Sequence, residues 1–186
     1  MLWSLKTFDA RTNTNKMVIK GRVYKFGDNI NTDWIISGRY KFSITDMKEL
    51  AHYIFEDIRP GFFNELSPGH SIIVAGDNFG MGSSREQAPR AIKEAGISCI
   101  IARSFARIFY RNSFNIGLPL IEADTSSIIE ADEISVDVDK GIINDIIKEK
   151  KINFTPWNSF QKELIKGGGI INYLIKHKNF QLKSQA

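Results

Sequence analysis

Residues 71–86 read SIIVAGDNFGMGSSRE, an apolar run that leads into a loop with glycines at positions 76, 80 and 82. Glycine lets the backbone turn sharply and approach a ligand closely. The loop ends in Ser83, Ser84 and Arg85 at the predicted start of a helix, where free N–H groups and the positive end of the helix dipole attract an anion. Because the planar guanidinium of Arg85 matches a carboxylate, this stretch predicts a site for a small acid, with a serine hydroxyl close to it.

The same stretch also has a purely structural interpretation. Ser83 and Glu86 fit a capping box, in which the serine caps a helix and the glutamate bonds back to the backbone. The motif alone leaves both interpretations open. It does exclude two kinds of phosphate loop, because residues 76–86 contain neither the Gly-Lys-Ser/Thr ending of a P-loop nor the G-x-G-x-x-G fingerprint of a dinucleotide site.

Strands and helices alternate along the rest of the chain. The sequence pattern predicts strands at 17–26, 71–75, 97–102 and 118–121, a hairpin of 128–138 and 141–147, and helices at 45–59, 62–66, 84–95, 105–114, 158–166 and 170–177. Residues 30–40 are expected to form a loop with an apolar insert. Because strands and helices alternate from 71 to 121, we predict parallel strands with crossover helices in a single α/β domain.

Ligands of such sheets collect at the carboxyl ends of the strands. The glycine-rich loop follows the strand at 71–75, and Ser104 to Arg107 follow the strand at 97–102, so we expect these two loops to be neighbours. A third polar loop, Asp28 to Asp33, follows the first strand. Asn and Asp favour turns by bonding to their own backbone, so a simple turn is the alternative for this third loop.

Composition limits the classes of function. The 186 residues carry a net charge of +4, but the basic residues are scattered, and Lys148 to Lys151 are expected to form a solvated face. The single cysteine, Cys99, lies in an apolar run and excludes an internal disulfide and an iron–sulfur cluster ligated by this chain alone. The three histidines are far apart, so no metal site is predicted. One thiol also suits a reducing cytoplasm.

The two ends of the chain are expected to lie outside the domain. Residues 1–16 lack the apolar core of a signal peptide and are predicted to be an extension, residues 17–179 the domain, and residues 180–186 a tail. No apolar run approaches the length that a membrane span requires, so no membrane partner is predicted.

Four motifs in this order resemble those of the aconitase superfamily. They are Asp28-Asn29-Ile30-Asn31-Thr32-Asp33, Gly80-x-Gly82-Ser83-Ser84-Arg85-Glu86, Arg103-Ser104-Phe105-Ala106-Arg107-Ile108, and the stretch from Asn112 to Gly117-Leu118. Their order and the chain length are similar to the small subunits of 3-isopropylmalate dehydratase and, as close relatives, of homoaconitase. The resemblance runs from about residue 17 to about residue 179.

The resemblance implies a fold, a partner and a reaction. The fold would be the swivelling β/β/α domain of aconitase, made here as a separate chain. A large subunit would carry a [4Fe-4S] cluster and pair with this chain in a heterodimer or heterotetramer, and the isolated chain could form homo-oligomers. The enzyme would be a hydro-lyase that dehydrates and rehydrates a small hydroxy acid, and with isopropylmalate it would serve leucine biosynthesis.

The resemblance also implies roles for site residues. Ser83 would be the base that removes the Cα proton, Ser84 and Arg85 would bind substrate carboxylate, and Asp33 would be an active-site acid. A serine hydroxyl can act as a base only where a preorganised positive field stabilises its alkoxide. Arg85, the helix dipole and the partner's cluster would supply that field, and the iron would act as a Lewis acid.

Substrate choice depends on the stretch after the Asp28–Asp33 loop, which in this family covers the substrate side chain. The candidates here are Arg39, Tyr40, Lys41 and Phe42. Homoaconitase-type proteins have an arginine where this chain has Phe42, so an apolar side chain favours the alkyl group of isopropylmalate. Lys41 could reach a third carboxylate, which leaves homoaconitase-type and methylmalate-type substrates open.

Two other classes of function compete with the enzyme. Some aconitase relatives bind RNA, and a pI of about 9.1 is compatible with that, but the chain lacks a basic stripe with interleaved aromatic residues, so no nucleic-acid partner is predicted. The other is a non-catalytic subunit that keeps the loop as a cap. The two serines, the arginine and the acidic loop occur together, and this favours catalysis.

Overall fold

One mixed sheet runs through the protein, which is seen here as a computed structural model describing residues 16–177. Its seven strands are β1 (Val18–Lys25), β2 (Ser71–Val74), β3 (Ile97–Ala102), β4 (Leu120–Glu122), β5 (Glu133–Asp137), β6 (Ile142–Asp145) and β7 (Lys150–Asn153). The helices are α1 (Thr32–Ile35), α2 (Gly38–Lys41), α3 (Met47–Ala51), α4 (Phe62–Glu65), α5 (Gln87–Glu94), α6 (Arg107–Ile116), α7 (Ser159–Gly167) and α8 (Ile170–His177).

The strand order is β4-β3-β2-β1-β5-β6-β7. Strands β1 to β4 are parallel, and Ile73 of β2 lies between Tyr24 of β1 and Ile100 of β3. Strands β5 to β7 continue the sheet beyond β1 as antiparallel neighbours. The segment β2-α5-β3-α6-β4 confirms the predicted crossover units, and β5 with β6 confirms the predicted hairpin.

The core lies around β2 and β3, which are buried at every residue. Their near-continuous apolar sequences explain this, because strands in the middle of a parallel sheet are covered on both faces. Strand β1 alternates between buried and more exposed residues along most of its length. Cys99 of β3 is fully buried, and this burial raises the pKa of its thiol, so Cys99 is a packing residue.

The helices pack on this core in chain order. Helix α5 contacts α3, α6 and β3, and α6 contacts α7, α8 and β4. Helix α7 begins with a capping box between Asn158 and Gln161 and ends at Gly168, whose left-handed backbone (φ 76°) suits glycine. The indole N–H of Trp157 donates to the carbonyl of Leu120 (2.8 Å), which ties the segment before α7 to β4.

Two helix predictions were wrong. The expected loop at 30–40 contains α1 and α2, whose single turns are too short to produce a periodic pattern. The predicted helix at 45–59 ends at Ala51 and continues as turns. Its start was right, because Asp46 caps it by accepting the N–H groups of Lys48 (2.8 Å) and Glu49 (2.9 Å).

The solvated face predicted at Lys148 to Lys151 is confirmed for the last three residues, which are exposed, but two other features were missed. Lys150 begins β7, an edge strand that was not predicted. Lys148 is an ion-pairing residue, because its ammonium lies 2.5 Å from the buried carboxylate of Asp132 and 3.4 Å from that of Asp145. These contacts close the turn between β6 and β7.

The predicted terminal segments, residues 1–16 and 180–186, fall outside the described residues except for Lys16. Between residues 16 and 177, every helix is too short or too polar to cross a bilayer.

Candidate active site

The loop after β1 and the loop after β2 form one unit. The N–H groups of Gly80 and Met81 donate to the carbonyl of Ile30 (2.8 and 3.2 Å), and the N–H of Thr32 donates to the carbonyl of Met81 (2.8 Å). The hydroxyl of Thr32 donates to the carbonyl of Ser83 (3.1 Å). A short parallel bridge between Asn31 and Met81 results, so the Asp28–Asp33 loop lies directly beside the glycine loop.

Close approach of these loops requires glycine at position 82. Gly82 has a φ of 99°, and a Cβ there would lie 2.5 Å from the side-chain oxygen of Asn31. An L side chain would therefore be strained by its backbone and would also push the two loops apart. This glycine places the next residue, Ser83, beside the Asp28–Asp33 loop.

The predicted acid-binding residues meet at this point. Arg85 forms an ion pair with Asp33, and its Nη1 atom also lies 3.4 Å from the carbonyl of Ile36. The side chain of Arg85 is 18% exposed, whereas Ser83 and Ser84 are exposed. The result is a largely covered guanidinium with two serines next to it in the chain, and this arrangement can accept an anion from solvent.

The capping-box interpretation of this stretch was wrong. Helix α5 begins at Gln87, three residues later than predicted. Glu86 is its N-cap residue, but the side chain of Glu86 accepts no hydrogen bond from the backbone of the first helical turn. The N–H of Arg85 donates to the carbonyl of Ser83 (2.7 Å), which turns the backbone before the helix begins. Ser83 and Arg85 therefore belong to the loop, where their side chains are not used as a cap.

A third loop, after β3, joins the other two. The N–H of Asn78 donates to the hydroxyl of Ser104 (2.8 Å), the N–H of Phe79 to the carbonyl of Ser104 (3.0 Å), and the N–H of Ala106 to the carbonyl of Phe79 (2.9 Å). The expectation that these two loops are neighbours is confirmed. All three loops leave the carboxyl ends of adjacent parallel strands, the edge at which ligands collect.

Comparison with known proteins identifies the family. The signature of the aconitase C-terminal domain matches residues 63–125. The chain is 49% identical over 164 residues to 3-isopropylmalate dehydratase small subunit 1 of Thermotoga maritima, a match that covers 88% of this chain and 98% of the relative. It is 54% identical to the small subunit from Nautilia profundicola, over 84% of this chain and 93% of the relative. The chain belongs to the family of 3-isopropylmalate dehydratase small subunits.

A solved structure of this family has the same fold. The crystal structure of 3-isopropylmalate dehydratase from Methanocaldococcus jannaschii superposes with a TM-score of 0.83 at 47% identity, over 87% of this chain and 96% of that chain. The resemblance stated from the four motifs is confirmed, and so is the aconitase-type α/β fold.

Two of the four predicted substrate-side residues contact other side chains. Tyr40 stacks on Tyr53 with ring centroids 4.2 Å apart. Arg39 pairs with Asp57 and lies over the ring of Tyr40. These two side chains are therefore engaged with other parts of the protein.

Of the remaining two residues of this stretch, Phe42 faces outward and Lys41 is half-buried. Phe42 follows α2 and is 82% exposed, and the ammonium of Lys41 lies 5.3 Å from the centre of its ring. An apolar ring this exposed is available to contact a ligand or a partner.

The described residues do not fit an iron–sulfur cluster. Between residues 16 and 177, no group of three or more His, Cys, Asp or Glu side chains could hold a metal ion. The thiol of Cys99 is buried in β3 and its raised pKa disfavours the thiolate that iron requires.

Sequence reasoning missed a group of charged residues beside the site, Asp28, Asp77 and Arg103. The guanidinium of Arg103 lies 2.6 Å from Asp28 and 2.7 Å from Asp77, and its proximity holds the pKa of Asp77 below the usual range. A signal was present, because each residue closely follows the carboxyl end of β1, β2 or β3. Opposite charges at the ends of adjacent parallel strands are expected to meet.

Proposed function

We propose that this chain is the small subunit of a two-subunit hydro-lyase that converts 2-isopropylmalate into 3-isopropylmalate by dehydration and rehydration. The main support for this proposal is sequence identity. About half of the aligned residues are identical to those of relatives with that name, over nearly the whole length of the relatives. The activity belongs to leucine biosynthesis, and we assign it to the cytoplasm.

In this proposal Ser83 is the catalytic base. Its side chain is on an exposed loop, so a substrate can reach it, and the alkoxide form accepts the proton that leaves the substrate carbon and becomes the hydroxyl again. The nearby guanidinium of Arg85 lowers the energy of the serine alkoxide, because a fixed positive charge in a partly dry site acts on developing negative charge. The proposal explains why an arginine is kept largely covered beside an exposed serine.

Arg85 also binds a substrate carboxylate, together with Ser84. Within residues 16–177, Arg85 uses the same atom, Nη1, to contact both the carboxylate of Asp33 and the carbonyl of Ile36. The guanidinium has five N–H donors in a rigid fork, so Nε and Nη2 remain for a second carboxylate. Asp33 thus orients the guanidinium and contributes an acidic group at the reacting end of the site.

The other half of the site comes from a large subunit. We assign the [4Fe-4S] group that the family implies to that partner, and the lack of a group of metal-binding side chains between residues 16 and 177 supports this assignment. This chain contributes the base and the carboxylate-binding residues in a heterodimer or heterotetramer. Alone it binds no cofactor and is expected to be inactive.

The alkyl group of the substrate is assigned to Phe42. An apolar ring matches an isopropyl group, whereas a third carboxylate would require a cation at this position. Lys41 lies beside the ring and could provide that cation, so tricarboxylates of the homocitrate type and methylmalates are the alternative substrates.

The test is turnover by this chain co-purified with the large subunit encoded in the same genome. Isopropylmalate, a homocitrate-type tricarboxylate and a methylmalate are compared under anaerobic conditions. We expect the highest kcat/KM with isopropylmalate. A higher kcat/KM with either alternative would refute the substrate assignment, and no turnover with any of them by a cluster-loaded complex would refute the enzyme assignment.

A further inference from the structure

We propose that Arg103 is a positioning residue of this enzyme, one that sets the relative placement of the two loops that carry Asp33 and Ser83. The inference rests on the proposed function, since it concerns the reaction that those loops perform. Arg103 does not contact either residue. It acts through Asp28 and Asp77, and we call these three residues the Arg103 bridge.

The Arg103 bridge is a set of charge-assisted hydrogen bonds between three loops. Nη2 of Arg103 lies 2.6 Å from Oδ1 of Asp28 and 2.7 Å from Oδ2 of Asp77, and its Nε lies 3.0 Å from the same Oδ2. Oδ1 of Asp28 also accepts the backbone N–H of Asp77 (2.8 Å). One guanidinium therefore offsets two carboxylates that would otherwise repel each other where the loops meet.

The backbone is fitted closely around this bridge. The N–H of Gly76 donates to the carbonyl of Gly27 (3.1 Å), and the N–H of Arg103 donates to the carbonyl of Gly76 (3.1 Å). A Cβ on Gly76 would lie 1.7 Å from Oδ1 of Asp28 and 3.1 Å from Nη2 of Arg103. The space at this position is thus filled by the bridge itself, and a larger residue at position 76 would displace it.

A ladder of hydrogen bonds leads from the bridge to the site. The N–H of Asn29 donates to the carbonyl of Asp77 (2.7 Å). The N–H groups of Gly80 and Met81 then donate to the carbonyl of Ile30, and the N–H of Thr32 donates to the carbonyl of Met81. The last hydrogen bond of this series is donated by the hydroxyl of Thr32 to the carbonyl of Ser83. The bridge lies at one end of this ladder and the reacting residues at the other, so a shift at the bridge moves Asp33 relative to Ser83.

Stability alone does not account for the arrangement. The side chain of Arg103 is 37% exposed, and those of Asp28 and Asp77 are 51% and 55% exposed. Ion pairs this exposed contribute little to global stability. Removal of the bridge should therefore leave the fold intact while it changes the geometry of the loops, and geometry errors of about 1 Å are enough to lower turnover by about 100-fold.

Arg103→Gln in the complex with the large subunit tests the proposal. We expect kcat to fall by about 10- to 100-fold, with KM and the melting temperature nearly unchanged. Arg103→Lys keeps the charge but loses the fork that joins both carboxylates, so it should recover only part of the lost kcat. Arg59→Gln is the matched control, because Arg59 likewise joins two carboxylates, those of Glu65 and Glu130, but does so outside the three loops. Arg59 is less exposed (26%) and also lies over the ring of Phe62 (5.1 Å), so this variant should lower the melting temperature, and it should leave kcat unchanged.

A second measurement does not depend on activity. In the isolated full-length chain, amide hydrogen exchange at Thr32, Gly80 and Met81 should be at least about tenfold faster in Arg103→Gln, while exchange at Ile100 of β3 stays the same. Wild-type kcat or unchanged loop exchange in Arg103→Gln would overturn the positioning role. Faster loop exchange in a system whose wild-type complex turns over none of the acids would overturn the proposed function and still support the bridge as the element that orders the loops.

Discussion

The carboxylate of Asp33 and the guanidinium of Arg85 form an ion pair between the loop after β1 and the loop after β2. Asp33 is the first-turn acid of α1, and Arg85 lies just before α5, so two short segments far apart in the chain share one contact. The side chain of Asp33 is 49% exposed but that of Arg85 only 18%, so solvent and salt screen this pair less than a pair in which both side chains are exposed.

Arg85→Lys should lower kcat/KM by about 10- to 100-fold, because hydrogen bonds to charged groups contribute about 1.5–3 kcal/mol and lysine lacks the planar fork. Asp33→Asn and the double variant complete a cycle in steady-state kinetics. The two effects should be strongly non-additive, since each residue acts through the other. Arg90→Lys is the control, because Arg90 of α5 forms an exposed ion pair with Glu86. This variant should not change kcat/KM. Additive effects would contradict a shared role.

Ser83→Ala should reduce kcat by about 100- to 10,000-fold, the range for loss of a general base. Binding to the large subunit should not change, since no fold contact of the hydroxyl is lost in an exposed loop. Single-turnover kinetics and a pull-down measure the two properties. Ser159→Ala, at the exposed start of α7, is the matched serine control. Normal turnover by the Ser83 variant would exclude Ser83 as the base.

Phe42→Arg should shift substrate preference from isopropylmalate towards tricarboxylates. The ring is 82% exposed, so the substitution is expected to leave the melting temperature within about 2 °C of the wild type. The ratio of kcat/KM for a homocitrate-type acid to that for isopropylmalate should rise, because a cation replaces an apolar wall. An unchanged ratio would remove the main support for assigning residues 39–42 to substrate choice.

Gly76→Ala should lower the free energy of unfolding by about 1–3 kcal/mol, the usual cost of overpacking. The new Cβ would lie 1.7 Å from the carboxylate of Asp28, so a loop must move. Gly27→Ala is the control, since no atom lies within 4 Å of its Cβ position. Urea unfolding compares the two variants. Equal stability would mean that the loops adapt without cost.

The ion pair between Asp139 and α7 should make the free energy of unfolding depend on pH in the acid range. Lys162 on α7 lies 2.8 Å away and holds the pKa of this carboxyl below its usual range, with help from the N–H of Met17 (2.9 Å). The pKa of an aspartate in the unfolded chain is about 3.9. The stabilisation from the ion pair of Asp139 is therefore complete above that pH, and it is lost as the pH falls through the lower pKa of the folded state.

Urea unfolding of wild type and Asp139→Asn between about pH 5.5 and pH 3 measures this stabilisation. The difference in free energy between the two proteins should be largest at pH 5.5 and should shrink at pH 3. In a Lys162→Met background the difference at pH 5.5 should be much smaller. A difference that is independent of pH would contradict the ion pair.

The sequence predicted the centre of the fold better than its periphery. Strands β2 and β3 are continuous apolar runs, and the glycines at 96 and 117 follow α5 and α6, so both crossovers could be predicted. Strand β7 was missed because its lysines, Lys150 and Lys151, are typical of a solvated surface and also of an edge strand that avoids further pairing.

The site was predictable as a set of segments, but its contacts were not. Glycine, serine and arginine after β2 indicated an anion site, and strand order indicated which loops would meet. The position of Ser83 could not be predicted, because the bond from Thr32 and the backbone of Gly82 delay the helix by three residues. Such tertiary contacts override a local capping motif.

The burial of Cys99 in β3 has a practical consequence. It is the only sulfhydryl of the chain, and thiol reagents reach a buried group only when the surrounding structure opens. Its rate of labelling therefore reports the opening of the central sheet with no engineered probe. The same shielding protects the thiol from oxidants in solution, so in the proposed two-subunit enzyme an oxidative loss of activity that precedes the labelling of Cys99 would not be due to this thiol.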